Sequence, residues 1–132
     1  MFKQQSIDTN IILRMVLKDD AHLYQRAYEL LTQPRHYYYV PDQAIIEAAF
    51  VLSSSLHFSR ANIQEKLLKF LSLSRVDYDA RIIDKVFEEF LAHPKLSFVD
   101  CYLAIKMSDI ERAPLWTLDE KLAKQLDGVE LA

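Results

Sequence analysis

An α/β fold with a short, mostly parallel central sheet is what this sequence predicts, on three observations. Short aromatic or β-branched runs, of which Tyr37-Tyr38-Tyr39-Val40 is the clearest, alternate with longer stretches whose apolar residues recur at helical spacing. One glycine and four prolines leave little material for the tight turns of hairpins and barrels. Twice, at Ser6-Ile7-Asp8 and at Thr117-Leu118-Asp119, an extended run stops on a carboxylate where a helix begins, the junction at which an open parallel sheet puts its active sites. About four to five strands and about six to seven helices follow from the alternation.

Taken in order, a short run to Ser6 is the first strand, and Ile11, Ile12, Met15 and Val16 carry the first helix to Leu17. Leu23, Tyr24, Ala27, Leu30 and Leu31 carry a second, which Pro34 ends because proline disfavours helix in the residue before it. Tyr37–Val40 is a buried strand, and Pro41 and Asp42 suit the first turn of the next helix. Ser53-Ser54-Ser55 marks a loop, and Ser59 caps a helix carried by Ile63, Leu67, Leu68, Phe70 and Leu71. A brief run at Arg75-Val76 precedes a helix opened by Asp77-Tyr78-Asp79, with Ile82, Ile83, Val86, Phe87, Phe90 and Leu91 inward. Ser97-Phe98-Val99-Asp100 opens another, and Ala113–Leu118 reads as a buried strand before a last helix that starts at Asp119. The tail Gly128–Ala132 offers a short edge strand.

The 132 residues, 51% of them apolar, suffice for one domain over residues 1–132 with its own core. The lone Cys101 excludes an internal disulfide, Met1-Phe2-Lys3-Gln4-Gln5 lacks the apolar core of a secretory signal, and no apolar run nears the roughly 18 residues of a membrane span. A cytoplasmic protein with no membrane partner is the expectation. The net charge of −3, from 16 Lys and Arg against 19 Asp and Glu, excludes a generally basic nucleic-acid coat. If four carboxylates are committed to cations, however, 15 acids remain against 16 bases, and a nucleic-acid substrate stays compatible with the rest of the surface.

Four acids stand out. Asp8 and Asp119 have an ordinary explanation as helix N-caps, and Asp100 has one in a capping box with Ser97. Glu47 has none of that kind. From Ala44 to Leu52 it is the sole polar residue, so its helix reads as buried all round, and an interior carboxylate costs several kcal/mol unless it neutralises or meets a cation. A buried ion pair or a protonated acid is the ordinary alternative there. Three helix starts that all choose Asp, plus one mid-helix Glu, are better explained by a shared pocket at one sheet edge. Crowded carboxylates repel, and all-oxygen ligands select magnesium or manganese over zinc. Such a site suits phosphodiester hydrolysis, with one or two divalent ions activating water and stabilising the leaving oxygen. Thr9, Asn10, Ser97 and Thr117 are placed to hydrogen-bond the ligands or water, capping being their ordinary role.

Asp8-Thr9-Asn10, Glu47 in a helix after a short strand, Ser97-Phe98-Val99-Asp100 and Thr117-Leu118-Asp119 together resemble the PIN-domain ribonucleases, most closely the VapC-type toxins of toxin–antitoxin pairs. The resemblance runs from about Ser6 to Leu122. It implies metal-binding, catalytic carboxylates at Asp8, Glu47, Asp100 and Asp119 with Asn10 and Thr117 supporting them, and Mg2+- or Mn2+-dependent endonucleolytic cleavage of RNA. It further implies a homodimer, and an antitoxin whose C-terminal segment covers a groove lined by early helices and obstructs the acidic pocket. Leu23, Tyr24, Tyr28, Leu67, Phe70 and Leu71 are candidates for that groove, plain core being their ordinary role.

Rival readings fit less well. A phosphoaspartate receiver wants neighbouring acids after its first strand and a lysine after a late one, whereas Asp8 stands alone and Leu118-Asp119 follows Thr117. A haloacid-dehalogenase-type phosphatase wants a second Asp where this chain has Asn10. Cys101 lies in an apolar run with no histidine nearby, and His22, His36, His57 and His93 lack metal-ligand spacing. Arg14, Lys18, Arg112, Lys121 and Lys124 are candidate RNA contacts, though solvated surface charge is their ordinary role. The alternative from a different class is a catalytically inactive scaffold of the same fold that binds protein or RNA.

Overall fold

The computed structural model describes residues 3–132, and Met1 and Phe2 of the expected leading strand lie outside them. Among the described residues are seven α-helices and five strands, every pairing of which is parallel. The chain is therefore α/β, as expected, but its strands form a ladder of three and a ladder of two where a single sheet of about four to five was anticipated. The ladders fall in two compact units, one running to Asp79 and one spanning Ala80–Ala132. No helix among the described residues is long and apolar enough to cross a membrane.

In the first unit, β1 (Lys3–Ser6), β2 (His36–Tyr39) and β3 (Val76–Asp77) lie side by side, with Ser6 opposite Tyr39 and Tyr39 opposite Asp77. Parallel pairing sends all three chains out at one edge, where Asp8, Asp42 and Asp79 follow their respective strands. β1 forms despite its polar sequence because it is an outer strand whose backbone groups pair with β2. Tyr38 is buried in the middle strand and donates its hydroxyl to the Leu30 carbonyl at 2.6 Å, and burial raises its phenol above the ordinary range.

The helices of this unit begin where side-chain oxygens meet free amides. Asp8 caps α1 (Thr9–Leu17), Asp20 caps α2 (Ala21–Leu31), and Ser59 caps α4 (Arg60–Leu71). Buried Ile63, Leu67, Phe70 and Leu71 give α4 one apolar face. α3 (Asp42–Phe50) buries Ala44, Ile45, Ala48 and Ala49, and then widens into a π-helical turn, Val51–Ser55, where a loop was expected. The Leu56 amide reaches the Val51 carbonyl there, and His57 turns the chain with a positive φ of 57°.

The second unit packs α5 (Ala80–Ala92) against α6 (Phe98–Asp109). The Phe98 ring meets Phe87 and Phe90 edge-on at 5.0 and 5.5 Å. α5 starts three residues later than Asp77, because Val76-Asp77 is taken into β3. β4 (Leu115–Thr117) pairs with β5 (Val129–Leu131), and α7 (Glu120–Gln125) links them. The expected buried strand at 113–118 is mostly surface: Trp116 is 64% and Leu118 84% exposed. In a two-stranded ladder one face of the strand packs and the other stays open, so side chains of both kinds alternate.

Candidate active site

Asp8 sits two residues beyond Ser6, where the β1–β2 pairing ends, in extended conformation, as the N-cap of α1. Its Oδ1 accepts the amides of Asn10 at 3.1 Å and Ile11 at 3.3 Å, and Oδ2 takes no hydrogen bond among the described residues. The capping explanation is thus real, and it engages one oxygen of two. Asn10 is exposed and gives its backbone amide to this cap.

Glu47 corrects the sequence reading. It is exposed on α3, not buried, because Gln43, Glu47 and Phe50 recur at the spacing of one helix face and that face is left open to solvent. Its carboxylate is nevertheless held. The Thr9 hydroxyl donates to Oε2 at 2.7 Å and the Gln43 amide to Oε1 at 3.2 Å. These two bonds, the Thr9 bond foremost, favour the ionised form and lower the pKa of Glu47 below its ordinary value. Thr9 belongs to α1 and Glu47 to α3, so one hydroxyl ties the helix that Asp8 starts to the helix that carries Glu47.

Asp8, Thr9, Gln43 and Glu47, with Ser6, Ile7 and Pro41 among their neighbours, line one open pocket of about 610 Å3 at the carboxyl edge of the three-stranded sheet. Beside that edge the Tyr39 hydroxyl is pushed above its usual pKa by burial and then by the charges of Asp42, Asp79 and Asp77. Gln43 was not singled out in the sequence, although its position four residues before Glu47 marks it as a same-face partner.

In the second unit Asp100 occupies the first turn of α6, half-buried, in a full capping box: its Oδ2 accepts the Ser97 amide at 3.3 Å and the Ser97 hydroxyl accepts the Asp100 amide at 3.1 Å. Asp119 caps α7 through Oδ1, which accepts Lys121 at 2.9 Å and Leu122 at 3.4 Å. Thr117 supports that cap, its hydroxyl accepting the Asp119 amide at 3.0 Å. As with Asp8, the caps use Oδ1 and leave Oδ2 of Asp119 without a hydrogen bond among the described residues.

Among the described residues, no three His, Cys, Asp or Glu side chains form a group that could hold a metal ion. In the first unit, Asp8 and Glu47 give a two-carboxylate, oxygen-only donor set on an open pocket, and that set fits a hard divalent cation that keeps several of its waters. His93 bonds to Glu89 at 2.9 Å and Gln125 at 3.1 Å. Of the candidate groove residues, Tyr24, Tyr28 and Phe70 line a second cavity of the first unit, Leu67 and Leu71 are core, and Leu23 lies outside the lining.

In comparison with known families, the model of the PIN domain matches residues 6–126. No curated protein matches the chain significantly.

Proposed function

The chain belongs to the PIN domain family, a nuclease fold whose members are generally metal-dependent ribonucleases, and from that membership we propose that it is a divalent-metal-dependent endoribonuclease, the toxin of a type II toxin–antitoxin pair. The observation that carries the reading is the meeting of Asp8 and Glu47 on one open pocket, each kept available by bonds that do not neutralise it. In this reading Asp100 and Asp119 complete the acidic set, and Mg2+ or Mn2+ is the resident ion.

Each residue then has a definite task. Asp8 is oriented by its cap through Oδ1, so Oδ2 is left for a cation with little further entropy cost at the moment of binding. Thr9 and Gln43 fix the Glu47 carboxylate and keep it ionised, a cation ligand rather than a proton donor. Thr117 anchors the turn that presents Asp119. When bound, a divalent ion supplies acidification of water and neutralisation of the charge that builds on the phosphate. A homodimer, an antitoxin that obstructs the acidic pocket, and a cytoplasmic setting complete the proposal, and co-expression with the product of an adjacent reading frame, reading growth, tests that setting.

Asparagine caps helices about as well as aspartate. Asp8→Asn and Asp119→Asn therefore leave metal-free thermal stability unchanged or raised, while cleavage of single-stranded RNA in Mg2+ or Mn2+ is lost and chelator abolishes the wild-type reaction. Variants that cut RNA as well as wild type overturn the metal reading. RNA bound but uncut under every metal leaves the binding module in its place.

A further inference from the structure

A second cavity of the first unit, about 730 Å3, opens between α1, α2 and α4 and ends against β3. Its apolar floor comes from Met15, Val16, Leu31 and Phe70, and its rim holds Lys18, Lys66, Lys69 and Arg75 with no Asp or Glu in the lining. In a chain of net charge −3, four cations without a carboxylate are a local reversal of sign that a solvated surface does not produce by composition. Aromatic rings stand among those cations. Tyr24 and Tyr28 stack one helical turn apart, with centroids 6.1 Å apart and planes 30° from parallel, and the Lys18 ammonium lies 5.5 Å from the Tyr24 centroid. Tyr28 is 46% exposed, a ring face held in place and open to solvent.

We propose that this groove is a track for single-stranded RNA, with bases stacked on the Tyr28–Tyr24 pair and phosphates taken by Lys18, Lys66, Lys69 and Arg75. Flat rings with interleaved cations are the composition that binds single strands without sequence preference. The Thr32 hydroxyl already donates to the Tyr28 carbonyl at 2.9 Å, which leaves its oxygen as an acceptor for a ribose 2′-OH, and the exposed Ser74 hydroxyl offers a second partner. The track also leads somewhere. Asp8 caps one end of α1 and Lys18 the other, and a nine-residue helix is roughly 14 Å long, so the groove and the acidic pocket lie at opposite ends of one helix, a separation that a few nucleotides span. The inference rests on the nuclease reading for what happens at that pocket, and on the groove alone for binding.

A peptide helix from a partner, such as the antitoxin segment that the resemblance places on a groove containing Tyr24, Tyr28 and Phe70, is the competing occupant. Such a helix would fill the apolar floor but leave the four ringing cations without partners unless it were itself acidic, whereas repeating phosphates match that ring directly.

The test is fluorescence anisotropy of a labelled oligouridylate of about ten nucleotides in chelator, where binding is read without cleavage. Tyr28→Ala and the double variant Lys66→Ala/Lys69→Ala each weaken binding roughly tenfold, and the double variant lowers the slope of log affinity against log salt by about 1. Tyr28→Phe, which keeps the ring, restores affinity. Circular dichroism melts verify that the variants fold, as the exposure of Tyr28 and Lys69 leads one to expect. Unchanged affinity and slope in all variants overturn the track, and so does an acidic amphipathic peptide that binds the wild-type groove while the oligouridylate does not. Cleavage in Mg2+ with groove variants binding normally refutes the track and leaves the nuclease standing. Groove-dependent binding with no cleavage under any metal does the reverse.

Discussion

Thr9 shows how much one hydroxyl decides. It contributes no charge, yet its 2.7 Å bond to Glu47 is the largest cause of that carboxyl's lowered pKa. Thr9→Val, which keeps the shape and removes the donor, therefore raises the Glu47 pKa back toward 4.5, an outcome read by NMR titration of the side-chain carboxyl. The linkage sign follows: a depressed folded pKa gives stability that is present above 4.5 and fades as pH falls through the folded value, so wild type and variant converge in acid and differ at neutral pH. An unmoved Glu47 titration in Thr9→Val denies the hydroxyl this role. The sequence made Glu47 conspicuous by its apolar neighbours, but it could not say which way the helix faced. Eight apolar residues around a single acid describe a buried helix and an exposed acid on a half-covered helix equally well, and only the packing of Ala44, Ile45, Ala48 and Ala49 chooses.

Elements were legible where their ends carry chemistry. Asp8, Ser59, Ser97 and Asp119 each start a helix, and each accepts an amide there, so these boundaries could be read from side chains that act locally. Strands were harder, since their state depends on neighbours far away in sequence. The polar Lys3-Gln4-Gln5-Ser6 is a strand because β2 accepts it, and the apolar 113–118 run stays largely open because only β5 pairs with β4. The π-helical turn at Val51–Ser55 had no distinctive residue to announce it. One turn does depend on a single residue. Gly128 enters β5 with φ at 77°, and a Cβ there would meet Ala113 and Ser108 at ordinary 3.7 Å contacts, so space is available and backbone strain is the whole cost. Gly128→Ala should destabilise the chain by roughly 1–2 kcal/mol and Gly128→Asn by less, because asparagine tolerates the left-handed region. Equal urea midpoints for glycine and alanine contradict that account.

At the scale of the molecule, the family and its extent were the most legible property of all: the motifs from Asp8-Thr9-Asn10 to Thr117–Asp119 all lie within residues 6–126, which the PIN-domain model matches. Net charge was the least informative, because it averages a cation-rimmed groove with an acidic sheet edge that have opposite needs. That edge gives a prediction for the whole chain. Asp8 and Glu47 line one open pocket, so a divalent cation that enters it meets two carboxylates at once. Any ligand that binds the folded state alone stabilises it by mass action, about 1.4 kcal/mol at a tenfold excess over Kd, which is a rise of roughly 3–6 °C in Tm for a chain of this size. Mg2+ should produce that rise, and sodium chloride at matched ionic strength should not, since screening alone acts on every surface charge equally. Asp8→Asn should melt as high as wild type in chelator, because asparagine keeps the cap, and should lose the Mg2+ increment. If Mg2+ and sodium chloride shift the melting curve alike, these carboxylates do not hold a cation, and the proposed chemistry loses its centre.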